Sequence, residues 1–110
     1  MTAPFEGLAE LDRLIHEPAR LAILTALGSC ERADFLFLQS LTGLSKGNLS
    51  SHLSRLEEAK LVVIEKAFQG KTPTTTLRIT PEGAEAVEKH WERLAKLRAD
   101  SRKWTPPKDG

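Results

Sequence analysis

The stretch SKGNLSSHLSRLEEA, from Ser45 to Ala59, decides how the rest of this sequence is interpreted. At about 100° per residue, a helix over it places Leu49, Leu53 and Leu56 on one narrow stripe. The opposite face carries short polar side chains and one nearby arginine. Such a helix is either an ordinary amphipathic surface helix or one that presents a slim hydrogen-bonding surface to a partner, since short side chains allow close approach. The face and its flanks comprise Gly47, Asn48, Ser50, Ser51, Ser54, Arg55 and Glu58.

Length and composition predict one globular domain. The chain has 110 residues, of which 40% are hydrophobic and 28% are charged. No apolar run is long enough to cross a membrane, and the N-terminus lacks the basic and apolar regions of a secretory signal. A single cysteine, Cys30, excludes an internal disulfide and fits a reducing cytosol, so we expect a cytoplasmic protein.

The net charge of +1 hides an uneven distribution along the chain. Residues 1–44 carry a balance of −3, residues 45–80 a balance of +3, and residues 81–110 a balance of +1. The positive excess therefore coincides with the polar helix and the segment after it. This modest asymmetry suggests an anionic partner without deciding the matter.

Three helices are expected before the polar one. Leucines and Ile15 at helical spacing predict a first helix over about residues 7–16, and Pro18 opens a second. The second has the apolar set Leu21, Ile23, Leu24 and Leu27, and Gly28 stands where a left-handed cap costs little.

The third helix is short and leads directly into the polar one. Asp34 is its expected N-cap, and its buried side comprises Phe35, Leu38 and Leu41. Gly43 allows a tight turn, after which Ser45 caps the polar helix. This order is the helix-turn-helix pattern, which many proteins also use without binding anything through it.

The hydrophobic period then changes to that of strands. The β-branched run 61–68 and the alternating run 75–80 predict a hairpin, with Leu77 and Ile79 facing inward. Residues 69–74 form its turn and carry Lys71 among several threonines. A tip with a cation and hydroxyl groups suits phosphates, although a tip that only meets solvent has the same composition.

A long helix is expected to close the fold. Thr80 is its N-cap and Pro81 its first residue, and an apolar seam follows, formed by Ala84, Val87, Trp91, Leu94 and Leu97. The pattern fades after residue 98. We therefore expect a mainly α structure with a small β-hairpin (α+β), with one domain over 1–98 and a polar, Pro-containing tail over 99–110.

Several spaced motifs resemble one family of proteins. The string LSSHLSRLEEAKLV (49–62) is similar to the recognition helix and following strand of small stand-alone winged-helix regulators of the MarR/ArsR superfamily. Their wing resembles the set Phe68, Gly70, Pro73 and Thr75, and their last helix opens with TPEG, as residues 80–83 do here. HEPARLAIL (16–24) is similar to the start of their second helix. The resemblance covers about residues 8–92.

The resemblance implies a winged helix-turn-helix protein that binds double-stranded DNA in a sequence-specific way and regulates transcription, expected as a repressor. The recognition helix is residues 45–59, in the major groove, and the wing is about 68–75, on the minor groove or phosphates. The DNA-binding set expected is Ser45, Lys46, Gly47, Asn48, Ser50, Ser51, His52, Ser54, Arg55, Lys71, Thr72 and Thr74. Relatives often have a more basic wing tip.

We further expect a homodimer on a near-palindromic operator, paired through its N- and C-terminal helices. Such a small core cannot easily cover both helices, although they could instead bury each other within one chain. The dimerisation set is Leu8, Leu11, Ile15, Val87, Trp91 and Leu94. A small-molecule effector of unknown identity is a further expected partner, and a membrane is not.

Two other classes of function differ in their support from the sequence. A winged-helix module that binds protein instead of DNA is the alternative, supported by the weak basic excess and the acidic pair Glu57-Glu58. An enzyme is not expected, because the sequence has no phosphate-binding glycine loop and no nucleophile in a known setting. No cofactor or metal is expected either, since Cys30 stands alone and the three histidines are dispersed.

Overall fold

The computed structural model describes residues 3–108, and this part of the chain forms five helices and three strands. In chain order these are α1 (Glu6–Ala9), α2 (Pro18–Gly28), β1 (Ala33–Asp34), α3 (Phe35–Thr42), α4 (Lys46–Glu58), β2 (Val62–Gln69), β3 (Thr72–Ile79) and α5 (Pro81–Lys103).

The polar helix forms as its sequence predicts. Ser45 caps α4, and its hydroxyl accepts a hydrogen bond from the Asn48 amide at 3.2 Å. Leu49, Leu53 and Leu56 are buried in the common core. The preceding turn has Gly43 in the left-handed region at φ 71°, which accounts for a glycine between α3 and α4. The helix-turn-helix of α3 and α4 is thereby confirmed.

The strands form one antiparallel sheet in the order β1-β3-β2. The β2–β3 hairpin pairs Val62 with Ile79 at one end and Gln69 with Thr72 at the other, so its turn is the two residues Gly70-Lys71. This turn is shorter than the expected 69–74. The sequence did not indicate β1, because two residues are too few to show an alternating pattern.

The N-terminal helix is much shorter than the predicted 7–16. The Asp12 carboxylate accepts the Leu14 amide at 2.9 Å, which offers the backbone an alternative to a helical bond. The buried guanidinium of Arg20 donates hydrogen bonds to the backbone carbonyls of Leu14 (2.6 Å) and Arg13 (3.3 Å). Because side chains occupy these backbone groups, the helix ends at Ala9.

Two details of α2 and α3 were predicted wrongly. Gly28 lies inside α2, which ends through Ser29 with an ordinary right-handed geometry, so no left-handed cap forms there. Leu41 was expected on the buried side of α3, but it is half exposed. The Asp34 cap of α3 is as predicted, with its carboxylate accepting the Phe37 amide at 2.7 Å.

The last helix is longer than expected, and a different set of its side chains faces the core. Thr80 caps it and Pro81 is its first residue, as predicted, but α5 continues to Lys103, beyond the change of pattern at residue 98. Its buried residues are Gly83, Val87 and His90, whereas Ala84 and Trp91 are exposed. Histidine and glycine carry no apolar signal, so the true seam was not visible in the sequence. Trp104 packs edge-on against Phe5, with ring centroids 5.5 Å apart.

The molecule is elongated. Its radius of gyration is 17.8 Å and its extents are 71 × 25 × 21 Å, whereas a compact domain of this size has a radius of about 13 Å. The core lies between α2, α4, the strand roots and the first half of α5. The architecture is the predicted α+β winged helix-turn-helix, with the wing extending beyond the core.

Candidate nucleic-acid interface

The outer face of α4 is exposed along its length. Its buried leucines fix the helix, and the residues between them point away from the core. The predicted binding residues that the structure leaves exposed on α4 and its cap are Ser45, Lys46, Gly47, Asn48, Ser50, Ser51, Ser54 and Arg55. A Cβ added at Gly47 would meet open space, so the surface there is flat and unobstructed.

His52 is the exception on this helix. Its Nδ1 lies 3.2 Å from a guanidinium nitrogen of Arg20 and 3.7 Å from a carboxylate oxygen of Glu17. Arg20 is 8% exposed and is also held by the α1–α2 connector. The imidazole therefore points back toward α2, where it fixes the position of α4 against the body of the protein.

Glu17 completes this cluster. Its carboxylate caps α2 by accepting the Arg20 amide at 2.9 Å. Burial alone would raise the pKa of Glu17, but hydrogen bonds from the amides of Arg20 and Ala19, with the charges of His52 and Arg20, lower it below its ordinary value. A carboxylate that stays ionised keeps its attraction to the guanidinium, which holds α2 and α4 in one arrangement.

A groove runs between α4, α3 and the wing. On the helix side it is lined by Lys46, Ser50 and Ser54, and on the α3 side by Leu36 and Gln39. The wing contributes Ile64, Lys66, Pro73, Thr74, Thr75 and Leu77. Hydroxyl and ammonium groups thus face each other across a concave surface with an apolar floor.

The wing has two faces because side chains alternate along a strand. The inner face begins at the pair of half-buried Ile64 and buried Leu77, and it continues outward through Lys66–Thr75 to Phe68–Pro73. The outer face holds the ion pair of Arg78 and Glu65, whose Nε and Oε1 atoms lie 2.9 Å apart. We call these the inner and outer wing faces.

The predicted wing residues fall on different parts of the hairpin. Lys71 lies in the exposed turn beside Gly70, whose φ is 68°. Thr72 and Thr74 lie on the outer wing face, and the Thr74 hydroxyl donates to the Ala67 carbonyl at 3.3 Å. Lys66 lines the groove from the inner face and was not in the predicted set, although the alternation of side chains places it on the same face as Leu77.

The six predicted dimerisation residues differ in how far they are exposed. Leu11, Ile15 and Val87 are buried within their own chain, and the last two belong to the core. Leu94 is half-buried, while Leu8 and Trp91 are exposed. Of the expected set, only Leu8 and Trp91 are exposed enough to offer their side chains to a second copy.

Trp91 also borders a shallow apolar groove on the side of the molecule formed by α2, α3 and α5. Its indole N–H donates to the Thr25 hydroxyl at 3.0 Å, which holds the ring across the groove. The other lining side chains include Leu21, Ala22, Phe37 and Leu41.

A pair of histidines joins α5 to the start of α2. His16 Nδ1 and His90 Nε2 are 3.1 Å apart, so one of the two rings donates and the other accepts. His90 is 5% exposed. Burial lowers the pKa of His90, and the neighbouring His16 lowers it further. The folded arrangement therefore disfavours protonation of His90.

None of the helices in the described residues 3–108 combines the length and apolar character needed to cross a membrane. The same residues contain no cluster of three or more His, Cys, Asp or Glu side chains placed to hold a metal ion.

The α3–α4 pair, the three-stranded sheet with its hairpin and the exposed polar helix define a winged helix-turn-helix protein. Residues 19–97 match the family model described as "Winged helix DNA-binding domain". The chain belongs to this family.

Similar proteins agree with this assignment. A transcriptional regulator homologue from Pyrococcus horikoshii OT3 is 31% identical with a TM-score of 0.78, over 90% of this chain and 99% of that one. An uncharacterised protein of Methanocaldococcus jannaschii is 28% identical over 77% of this chain and 92% of its own length. NadR, solved in complex with 4-hydroxyphenylacetate, is 25% identical with a TM-score of 0.62, over 91% of this chain and 66% of that one.

Structures of MarR-family regulators share the fold at 15–17% identity. The family match and the Pyrococcus relative identify the chain as a winged-helix DNA-binding regulator. The family match to a DNA-binding domain and the similarity to the Pyrococcus regulator homologue confirm the expectation that the chain is not an enzyme.

Proposed function

We propose that this protein binds a specific duplex DNA sequence as a homodimer and represses transcription from it. The observation that carries the proposal is the exposed outer face of α4, which is rich in hydroxyl groups and held from behind by three buried leucines. A helix of this width fits the major groove of B-DNA.

In this proposal the two kinds of polar group on α4 have different tasks. Asn48, Ser50, Ser51 and Ser54 reach base edges, because their short side chains let the helix lie deep in the groove. Lys46 and Arg55 hold phosphates, as does Lys71 in the wing turn. With so few cations per subunit, affinity falls only moderately as salt concentration rises.

Selection of bound duplexes from a randomised pool tests the proposal. Arg55→Ala is expected to weaken binding to all duplexes by about tenfold, while Asn48→Ala or Ser51→Ala changes the preferred sequence by about 1–3 kcal/mol per affected base pair. Arg102→Ala, at the exposed end of α5, is the matched control and should leave binding unchanged. If neither the Asn48 nor the Ser51 variant alters selection, α4 is not the reading element.

The homodimer is part of the same proposal. Its support is the elongated shape, the long α5 and the exposed apolar side chains of Leu8 and Trp91. Two copies paired through these helices would place their α4 helices about 34 Å apart, on successive major grooves of a near-palindromic operator.

Sedimentation at micromolar concentration tests the pairing. Leu8→Glu and Trp91→Glu should shift the protein toward monomer, because each places a charge in the proposed contact. Leu36→Glu, at an exposed leucine that lines the groove beside α4, is the control. A wild-type monomer would contradict this part of the proposal.

Two further elements of the proposal concern partners. NadR binds 4-hydroxyphenylacetate, and we propose that a small molecule likewise acts on this protein, in the apolar groove bordered by Trp91. We also propose that the protein acts in the cytoplasm, where it would meet a genomic operator.

The rival function is a winged-helix module that binds protein, which would be favoured if the wild-type chain retained no duplex from the pool.

A further inference from the structure

The three buried leucines of α4 do not by themselves determine how this helix is rotated about its own axis. They bury one stripe of the helix in the core, and apolar contact is not directional. At about 100° per residue, His52 lies at one edge of this stripe, about 65° from its centre. The other edge borders the groove toward the wing, where Lys46 and Ser50 lie. A directional contact at His52 can therefore determine which residues of α4 face outward.

His52 makes such a contact with α2. Its Nδ1 atom lies 3.2 Å from a guanidinium nitrogen of Arg20. A guanidinium can only donate, so Nδ1 is the acceptor of this hydrogen bond and the ring carries its proton on Nε2. Because a hydrogen bond weakens steeply when it is bent, this contact restricts the rotation of α4 in a way that the leucines do not.

Arg20 is a rigid support for the contact. The residue is 8% exposed, and its other two guanidinium nitrogens donate to the backbone carbonyls of Leu14 and Arg13. The Glu17 carboxylate lies 3.9 Å from the same nitrogen that faces His52. Since a guanidinium is planar and its donors have a fixed geometry, one held through its other two nitrogens cannot turn to follow the ring.

The α1–α2 connector, which accepts these hydrogen bonds, is itself attached to α5. His16 Nδ1 and His90 Nε2 lie 3.1 Å apart, and His90 is buried. The connector is thus held between α2 and the long last helix. The body of the protein therefore sets the rotation of α4, through Arg20 and His52.

We propose that His52 and Arg20 are positioning residues for DNA recognition, which hold α4 at the rotation that sequence reading requires. They act through the helix, and the duplex contacts are left to the exposed side chains. This inference rests on the proposed function, since it assigns the reading of base edges to α4.

A small rotation matters because the reading atoms lie far from the helix axis. Side-chain atoms at the surface of a helix are about 5–6 Å from its axis, so a rotation of about 10° moves them by about 1 Å. A hydrogen bond to a base edge is lost over such a distance, whereas long flexible side chains such as Lys46 can follow a phosphate. Loss of the contact should therefore reduce sequence specificity and preserve general affinity for duplex DNA.

The test uses the full-length protein and two duplexes, one selected by the wild type and one with the same composition in scrambled order. The ratio of the two affinities measures sequence recognition. His52→Leu keeps the branching at Cγ but removes the acceptor, and it should lower the ratio about tenfold, comparable with the loss of one base contact. His52→Asn places an amide oxygen where Nδ1 lies, and it should keep the ratio within about twofold of wild type.

Two further variants separate positioning from stability. Ile23→Val, at a fully buried residue of α2, should lower the unfolding midpoint and leave the ratio unchanged. Arg20→Lys offers one ammonium in place of three nitrogens and should lower the ratio as His52→Leu does. The double variant should lose no more than either single variant, because both remove the same contact. The two His52 variants test the inference even if Arg20→Lys does not fold.

Several results would overturn the proposal. One is a wild-type ratio for His52→Leu, and another is a loss in His52→Asn equal to that in His52→Leu. If His52→Leu weakens binding to both duplexes equally, the ring contacts a phosphate and does not position α4. An equal loss of the ratio in Ile23→Val would assign the effect to stability alone.

The failure of this inference and the failure of DNA binding can be told apart. If the Asn48 and Ser51 variants change the selected sequence while His52→Leu keeps the ratio, α4 reads DNA and does not depend on the contact with Arg20. If the wild type retains no duplex at all, the proposed function fails and this inference fails with it.

Discussion

The root and the tip of the wing are built in opposite ways. At the root, the Leu61 carbonyl accepts the Thr80 amide at 3.0 Å, and the Thr80 hydroxyl accepts the Gly83 amide at 2.9 Å. At the tip, Gly70-Lys71 and Phe68 are exposed. The root therefore fixes where the hairpin points, and the tip is free to meet a partner. Substitutions at the two ends should separate stability from binding.

The largest expected effect compares two residues of the inner wing face. Leu77→Ala removes a fully buried side chain and should lower the free energy of unfolding by about 4 kcal/mol, because a cavity replaces core contacts. Phe68→Ala removes a larger but exposed side chain and should stay within about 0.5 kcal/mol of wild type. Urea unfolding measures both, and equal losses would contradict the division into root and tip.

The next effect concerns the close packing of α5 against the root. A Cβ on Gly83 would overlap the Leu61 carbonyl oxygen and come within 2.9 Å of Ile79 Cγ1. Gly83→Ala should therefore destabilise the protein by about 3 kcal/mol, since backbone must move. Gly28→Ala is the matched control: it has open space and should stabilise α2 by about 0.5–1 kcal/mol. Urea unfolding measures both variants, and a Gly83→Ala protein with the wild-type free energy of unfolding would contradict this close packing.

A smaller effect is expected in the turn at the tip. Gly70 has φ 68° while Lys71 has a negative φ, as in a type II′ hairpin turn. Gly70→Ala should cost about 1–2 kcal/mol, because an L side chain strains this backbone region, whereas Lys71→Ala should leave stability unchanged. A thermal midpoint for Gly70→Ala equal to that of Lys71→Ala would show that the turn is not held in this geometry.

The smallest effect is that of pH, and it acts on the packed body alone. His90 has a lowered pKa in the folded protein, so the unfolded chain binds the proton more readily. Its contribution to stability is complete above about pH 6.5 and is lost as the pH falls toward the folded-state value. Thermal midpoints between pH 5 and 7.5 should decline on the acid side, and His90→Gln should flatten that decline. The wing tip, whose residues 66–75 include no histidine, should be unaffected.

Much of this fold could be predicted from the types and spacing of neighbouring residues in the sequence. Capping residues Asp34, Ser45 and Thr80 were each recognised from residue type and position, and each cap forms. The leucine stripe of α4 and the hairpin followed from periodicity. These features depend on neighbours in the chain, which is why a single sequence reveals them.

The errors came from contacts between distant residues. Arg20 donates hydrogen bonds to backbone carbonyls between α1 and α2, where the first helix was expected to continue. No pattern within residues 7–16 indicates these hydrogen bonds. His52 looked like a surface residue on the polar helix, but Glu17 and Arg20 draw it inward. His90 and Gly83, which form the buried seam of α5, are recognisable only once the opposing surfaces are known.

The separate roles of the residues along α4 determine which of them can be substituted to change the DNA sequence that is bound. Ser50, Ser51 and Ser54 are exposed, so exchanging them leaves the leucine anchor untouched. Ser45 and His52 are not interchangeable in this way, because the first caps the helix and the second ties it to α2. New target sequences are therefore open to evolution, or to an engineer, through three serines that the scaffold does not need.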